Sequence, residues 1–242
     1  MRWTAVLLLP FLFPANARSQ HQLQYTSDFV FKEGIYLSFQ DFQNNKPVPL
    51  TYLISDLDIR SENYIDQLVL QDSIHYYDHQ LEQRSIATEK VWGYCKRNRV
   101  FMAFGAKQSY NNPDFFDFYP LLNIGAISYL TATEAYYRNV TTGPQMGIGF
   151  RDPMFSEQMT VTESGQVQLL LEFRSGRVMV VGRGELRSVP PEMVSELIAE
   201  DRSLRIEFEA LSIKDQKQKG MFFIRRYNER NPIYFPVSPS NY

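Results

Sequence analysis

What the chain lacks narrows it first. Cys95 is the only cysteine among 242 residues, so no internal disulfide framework can form and stability must come from packing. Histidine occurs three times, at 21, 75 and 79, which leaves little material for imidazole chemistry. No Gly-x-Ser-x-Gly elbow is present, and no glycine-rich stretch ends in the Lys-Ser/Thr of a phosphate loop. No apolar run reaches the roughly 20 residues that a bilayer-spanning helix needs. A strong charge of one sign is missing too. With 25 basic and 27 acidic residues the net charge is −2, too mild to point to nucleic acid or an anionic membrane surface.

What is there begins at the N-terminus. Met1-Arg2-Trp3-Thr4 places one positive charge before the apolar run Ala5-Val-Leu-Leu-Leu-Pro-Phe-Leu-Phe13, and Ala15 and Ala17 follow Pro14. Basic, apolar and small residues in that order predict a secretory signal peptide over residues 1–19, cleaved after Ala17 or Ser19. No cysteine follows the apolar run, which argues against a lipid-modified bacterial N-terminus. Loss of Arg2 and Arg18 would leave 23 basic residues against 27 acidic ones. The mature chain is then expected to be exported and without a membrane span, whether periplasmic, outer-membrane-associated or secreted.

Residues 20–242 read as a single α+β domain: an antiparallel sheet, curved or sandwich-like, with a helical C-terminal segment. Residues 20–33 show no clear period and are expected to be a flexible lead-in. Gly34-Ile-Tyr-Leu37 reads as a strand running into a helix start at Ser38, whose side chain can cap the backbone three residues on. Leu50-Thr-Tyr-Leu-Ile54, Gln67-Leu-Val-Leu70 and Ile74-His-Tyr-Tyr77 are strand candidates rich in β-formers. Val91-Trp-Gly-Tyr-Cys95 and Val100-Phe-Met-Ala-Phe104 flank a polar turn and predict a hairpin, with Trp92 and Tyr94 sharing one face. Gly125, before the strand of Ile124 to Leu130, suggests a bulge or a close backbone approach. Residues 139–166 contain Gly143, Pro144, Gly147, Gly149, Pro153 and Gly165 and read mostly as an irregular insertion, either mobile or pairing as short strands.

The clearest organisation lies between Val167 and Pro232. Val167-Gln-Leu-Leu-Leu-Glu-Phe173 and Val178-Met-Val-Val181 predict a second hairpin. Pro190-Pro191 suits the first turn of a helix, and Asp201 offers an N-cap for the next. Leu204, Phe208 and Leu211, then Met221, Ile224 and Tyr227, continue an apolar stripe. The polar run from Lys214 to Gly220 is expected to be a solvated face and to kink or break the helix.

The candidates for chemistry are few. His75, His79 and Glu82 would share one face of a helix and could ligate zinc, but Ile74-His-Tyr-Tyr77 looks extended, which makes the three diverge. Cys95 needs a basic partner to act as a nucleophile, and its place in an apolar hairpin favours a packed thiol. Gly143-Pro-Gln-Met-Gly147-Ile-Gly149 lacks the rest of a phosphate loop. Phe115, Phe116, Phe118 and Tyr119 form a dense aromatic cluster in a predicted loop. Exposed, it could seat an envelope protein or glycan; folded inward, which the cost of exposure favours, it plugs one end of the sheet. No catalytic, cofactor-binding or metal-binding residue is therefore assigned, and no cofactor is expected.

Glu33-Gly-Ile-Tyr-Leu-Ser-Phe-Gln-Asp-Phe42 with Lys46-Pro47, then Val91-Trp-Gly-Tyr-Cys95, then the closing hairpin, helices and Tyr227-Asn-Glu-Arg-Asn-Pro232 occur in an order that resembles a family of uncharacterised exported proteins, a domain of unknown function, from Gram-negative bacteria. The resemblance implies an envelope or secreted location and supplies no activity. The expected function is a binding or structural role in the cell envelope. The rival is a hydrolase acting on envelope polymers or glycans, which requires two converging carboxylates or a His–carboxylate pair in a cleft.

Overall fold

Leu169, Leu170 and Leu171 are consecutive and all fully buried, although neighbouring side chains of a strand point to opposite faces. Both faces of their sheet are therefore covered, and the layering of the whole fold follows from that. The structure, a computed structural model, describes residues 22–106, 115–142, 157–183 and 188–236. The strands are β1 (Gln22–Gln24), β2 (Gly34–Tyr36), β3 (Leu53–Ile54), β4 (Ser73–Tyr77), β5 (Gln83–Ala87), β6 (Gly93–Lys96), β7 (Arg99–Ala106), β8 (Phe115–Pro120), β9 (Ile127–Thr142), β10 (Glu157–Glu172), β11 (Val178–Arg183) and β12 (Tyr234–Pro236). The helices are α1 (Phe39–Gln43), α2 (Tyr64–Leu68), α3 (Pro191–Leu197), α4 (Arg202–Glu209) and α5 (Ile213–Arg230).

The strands form antiparallel sheets in the orders β2-β6-β7-β8, β11-β10-β9 and β3-β4-β5, with β1 paired to β12. The fold is α+β and sandwich-like. Leu169 and Leu171 face a central core shared with Cys95, Val100 and Met102 of the first sheet. Leu170 faces the other way, onto Val194, Phe208 and Tyr227 of the three C-terminal helices. On the far side of the first sheet, Tyr94 and Phe118 meet Leu68 of α2 and Ile74 of β4. The order through the molecule is thus small sheet with α2, first sheet, second sheet, helices.

Several elements form where local chemistry directs them. Ser38 and Asp41 make a reciprocal capping box on α1, with the Ser38 hydroxyl accepting from the Asp41 N–H and the Asp41 carboxylate accepting from the Ser38 N–H. Arg97 and Asn98 link β6 to β7 as a two-residue turn with φ of 50° and 60°, whose twist matches that of the strands. Pro191 opens α3, and Asp201 caps α4 by accepting from the Leu204 N–H.

Other expectations are corrected. Gln67 and Leu68 are helical, not extended, because Tyr64, Ile65 and Leu68 bury one face of α2 and a short apolar run cannot distinguish the two states. Leu50–Tyr52 is a single 3-10 turn, leaving only β3 as strand. Trp92 precedes the β6 ladder and turns to the Cys95 side, stacking on Phe42 at 4.5 Å, so it does not share a face with Tyr94. The α5 helix is unbroken through Lys214–Gly220: Ser212 caps it, Gln216 is buried, and Gly220 lets Val194 of α3 approach to where a Cβ would be 3.1 Å away.

Residues 22–33 are not a loose lead-in. Beyond the β1–β12 ladder, Phe29 and Phe31 lie in the central core beside Phe235. The Asn98 side chain donates to the Phe29 carbonyl at 3.1 Å and accepts from the Phe31 N–H at 2.8 Å. Asn45 accepts from the Lys32 N–H and from the Tyr36 hydroxyl, each at 3.0 Å. The irregular insertion expected at 139–166 is also corrected at both flanks, where the β9–β10 ladder runs unbroken in register from Thr142↔Glu157 to Ile127↔Glu172. Residues 143–156, including Gly143, Gly147 and Gly149, lie outside the described residues.

Candidate functional site

The aromatic cluster is strand, not loop. Phe116 and Phe118 of β8 pack with Tyr94, Phe118 at 5.2 Å from both the Tyr94 and Phe116 rings. Tyr119 lies against the central core and donates its hydroxyl to the Thr133 carbonyl at 3.0 Å. Pairing with β7 alternates the rings between two cores, with Phe118 buried and Phe116 and Tyr119 half-buried. The side chain of Phe115 lies outside the described residues.

The remaining candidates separate as follows. His75 sits in β4 with Nε2 3.3 Å from the Ser73 hydroxyl, while His79 lies in the β4–β5 turn and Glu82 is paired with Arg84. The three do not converge, and no group of three metal-ligating residues does so among the described residues. Cys95 is fully buried, and burial followed by the negative charge of Glu33 pushes its thiol up to about 12. A thiol held protonated in this way is a packing group rather than a nucleophile. His21 and the predicted leader, residues 1–19, lie outside the described residues.

Polar groups do meet at one depression, of about 150 Å³, where the end of α5 crosses the start of β9 and the β10–β11 turn. Tyr227 forms its floor, with Glu172, Arg174 and Glu200 around it. Local structure places each of them. Tyr227 belongs to the buried stripe of α5, Glu172 ends β10, Arg174 lies in the turn, and Glu200 follows α3. Burial first, then the charges of Glu200 and Glu172, raise the Tyr227 hydroxyl above its ordinary value of 10.0, with Arg174 opposing. The phenol is a hydrogen-bond donor at neutral pH.

The two carboxylates are already engaged. Glu200 pairs with Arg174. Glu172 accepts from the Ser175 hydroxyl at 2.6 Å and lies 3.6 Å from Arg177, which itself holds Glu196 at 2.6 Å. Acid–base hydrolysis needs one protonated acid and one unengaged base facing a substrate, and sites for small ligands usually enclose 300–1,000 Å³. This depression can pair charges and donate a hydrogen bond to a group laid across it.

The residues that sequence reasoning overlooked here are asparagines. Asn228 of α5 accepts from the Ile127 N–H and donates to the Ile127 carbonyl, both at 2.8 Å, fixing the edge of the depression. Gly125 is the close approach its type suggested, since a Cβ there would lie 2.7 Å from the Asn228 amide nitrogen. Arg230 and Asn231 of Tyr227-Asn-Glu-Arg-Asn-Pro232 are structural as well. Arg230 donates to Asp201 at 3.0 Å and to Ser203 at 3.1 Å, and Asn231 donates back to the Tyr227 carbonyl at 3.0 Å.

No helix among the described residues is long and apolar enough to cross a membrane. The chain matches no family model, no curated protein and no solved structure.

Proposed function

We propose that the chain is an exported bacterial protein with a binding or structural role in the cell envelope. Export is supported by the basic, apolar and small-residue order of residues 1–19. A non-enzymatic role is supported chiefly by one observation: Glu172 and Glu200, the carboxylates that meet at the depression, are each held by an arginine or a hydroxyl. The partner of such a protein is an envelope component rather than a nucleic acid.

The test is expression of the full chain in a Gram-negative host, followed by fractionation, N-terminal sequencing and cross-linking with mass spectrometry of the periplasmic fraction. A mature chain starting at Arg18 or Gln20 and cross-linked to an envelope component is expected. A chain that keeps Met1 and stays in the cytoplasm overturns the reading.

A hydrolase acting on envelope polymers or glycans is the second reading, favoured because two carboxylates and a phenol share one depression. It requires the purified protein to release soluble fragments from envelope glycan, and Glu172→Gln and Glu200→Gln each to abolish that release. Release that both variants retain, or no release at all, rejects it.

A further inference from the structure

The near-neutral charge of the chain hides a local asymmetry on α5. Its 18 residues carry Lys214, Lys217, Lys219, Arg225, Arg226 and Arg230 against only Asp215 and Glu229. Two of the cations are committed: Arg226 pairs with Glu207, and Arg230 with Asp201. Lys214, Lys217, Lys219 and Arg225 are exposed and take part in no ion pair among the described residues.

Apolar side chains stand among these cations. The inner face of α5 buries Gln216, Gly220, Phe223, Ile224 and Tyr227. Helical spacing puts Lys214, Gln218, Met221, Phe222, Arg225 and Glu229 on the opposite face, with Lys217 and Lys219 at its two margins. Met221 is 38% exposed and Phe222 52%. Phe222 is also held in place, since the Arg226 guanidinium lies 5.7 Å from its ring centre. The opposing acids are few: Asp215 is turned back to accept from the Ser212 hydroxyl at 2.7 Å, and Glu229 sits at the last turn.

We propose that the outward face of α5 docks the protein on an anionic lipid bilayer, with Met221 and Phe222 at the headgroup boundary and Lys214, Lys217, Lys219 and Arg225 over the phosphates. The charge complementarity selects the occupant. Apolar residues flanked by unpaired cations are the pattern of helices that lie in a membrane interface, and cations held near an anionic surface are attracted within a Debye length. A neutral protein groove would leave these four charges unanswered. The proposal names a partner for the envelope reading and takes its biological setting from it. Vesicle binding by the purified chain and leader cleavage in cells are separate measurements, so either can fail alone.

The experiment is co-sedimentation of the purified mature chain with vesicles of phosphatidylcholine alone and of phosphatidylcholine with phosphatidylglycerol. Binding to the anionic vesicles only, weakened by salt, is expected. Each Lys→Gln or Arg→Gln substitution at the four positions should reduce partitioning about fivefold, and Met221→Ser with Phe222→Ser should reduce it further. All these positions are exposed, and unchanged circular dichroism and melting confirm that a variant is folded. No binding by the parent chain, equal binding to both vesicle types, or undiminished binding by the quadruple charge variant overturns the proposal.

Discussion

The amide of Asn228 hydrogen-bonds both backbone groups of Ile127, accepting from the N–H and donating to the carbonyl at 2.8 Å each. A residue of α5 thereby pairs with the first residue of β9 as a neighbouring strand would, and locks the helical layer to the second sheet. Replacing it leaves two backbone groups without partners at a packed site.

Asn228→Ala is expected to cost about 2–3 kcal/mol, from two lost hydrogen bonds and the groups left unpaired. Gly125→Ala should be destabilising in the parent chain, because its Cβ would press on the Asn228 amide, and nearly neutral in the Asn228→Ala background. Urea unfolding of the four proteins of this cycle measures the coupling. Simple additivity would show that the two residues do not meet.

Leu81 occupies the tip of the β4–β5 hairpin with φ of 61° and 68% exposure. An apolar side chain gains little there, and the left-handed backbone is unfavourable for any residue but glycine or asparagine. Leu81→Gly is expected to stabilise the fold by about 1 kcal/mol. An unchanged or lowered urea midpoint would mean that the leucine packs in solution.

Asp201 is held at about 2, below its ordinary 3.8, by the Leu204 N–H first, then by the Ser203 hydroxyl and Arg230. A carboxylate depressed on folding contributes stability that is present above its unfolded value and lost as pH falls through its folded one. Stability should therefore drop between about pH 4 and pH 2. Asp201→Asn should flatten that part of the profile of urea midpoint against pH. A profile that the substitution leaves unaltered would exclude Asp201 as a contributor.

Cys95 should resist iodoacetamide in the native protein at mildly alkaline pH, because its thiol is buried and pushed up to about 12, and react completely in denaturant. Mass spectrometry of both samples checks this. Rapid native labelling would show that the β6–β7 hairpin opens readily.

The sequence made legible whatever is decided within a few residues. The Ser38 cap, the polar turn between β6 and β7 and the Asp201 cap each depend on neighbours and are legible from them, while the return bond from the Ser38 N–H to Asp41 emerges only in the structure. Leu169-Leu170-Leu171 was read as a strand, but burial on both faces follows only once helices and a second sheet are placed. The Gln67–Leu70 run failed because its helical face includes Tyr64 and Ile65, upstream of the apolar segment. Residues 22–33 failed for a different reason. Their partners are Asn98, Asn45 and Phe235, and no local period reports an amide that bonds across 67 positions. The depression was invisible for the same cause, since Tyr227, Glu172 and Glu200 meet only through the packing of α5 on β9 and β10.

The joining of Phe29 and Phe31 to Phe235 sets an order on the birth of this protein. That cluster brings together rings from the start and the end of the described chain, so the central core cannot be completed until residue 235 has left the ribosome. Contacts at such separation close late, after their loop entropy has been overcome. A nascent chain of this design therefore lacks its complete central core until β12 has been made. It acquires its final resistance to unfolding only when β12 arrives.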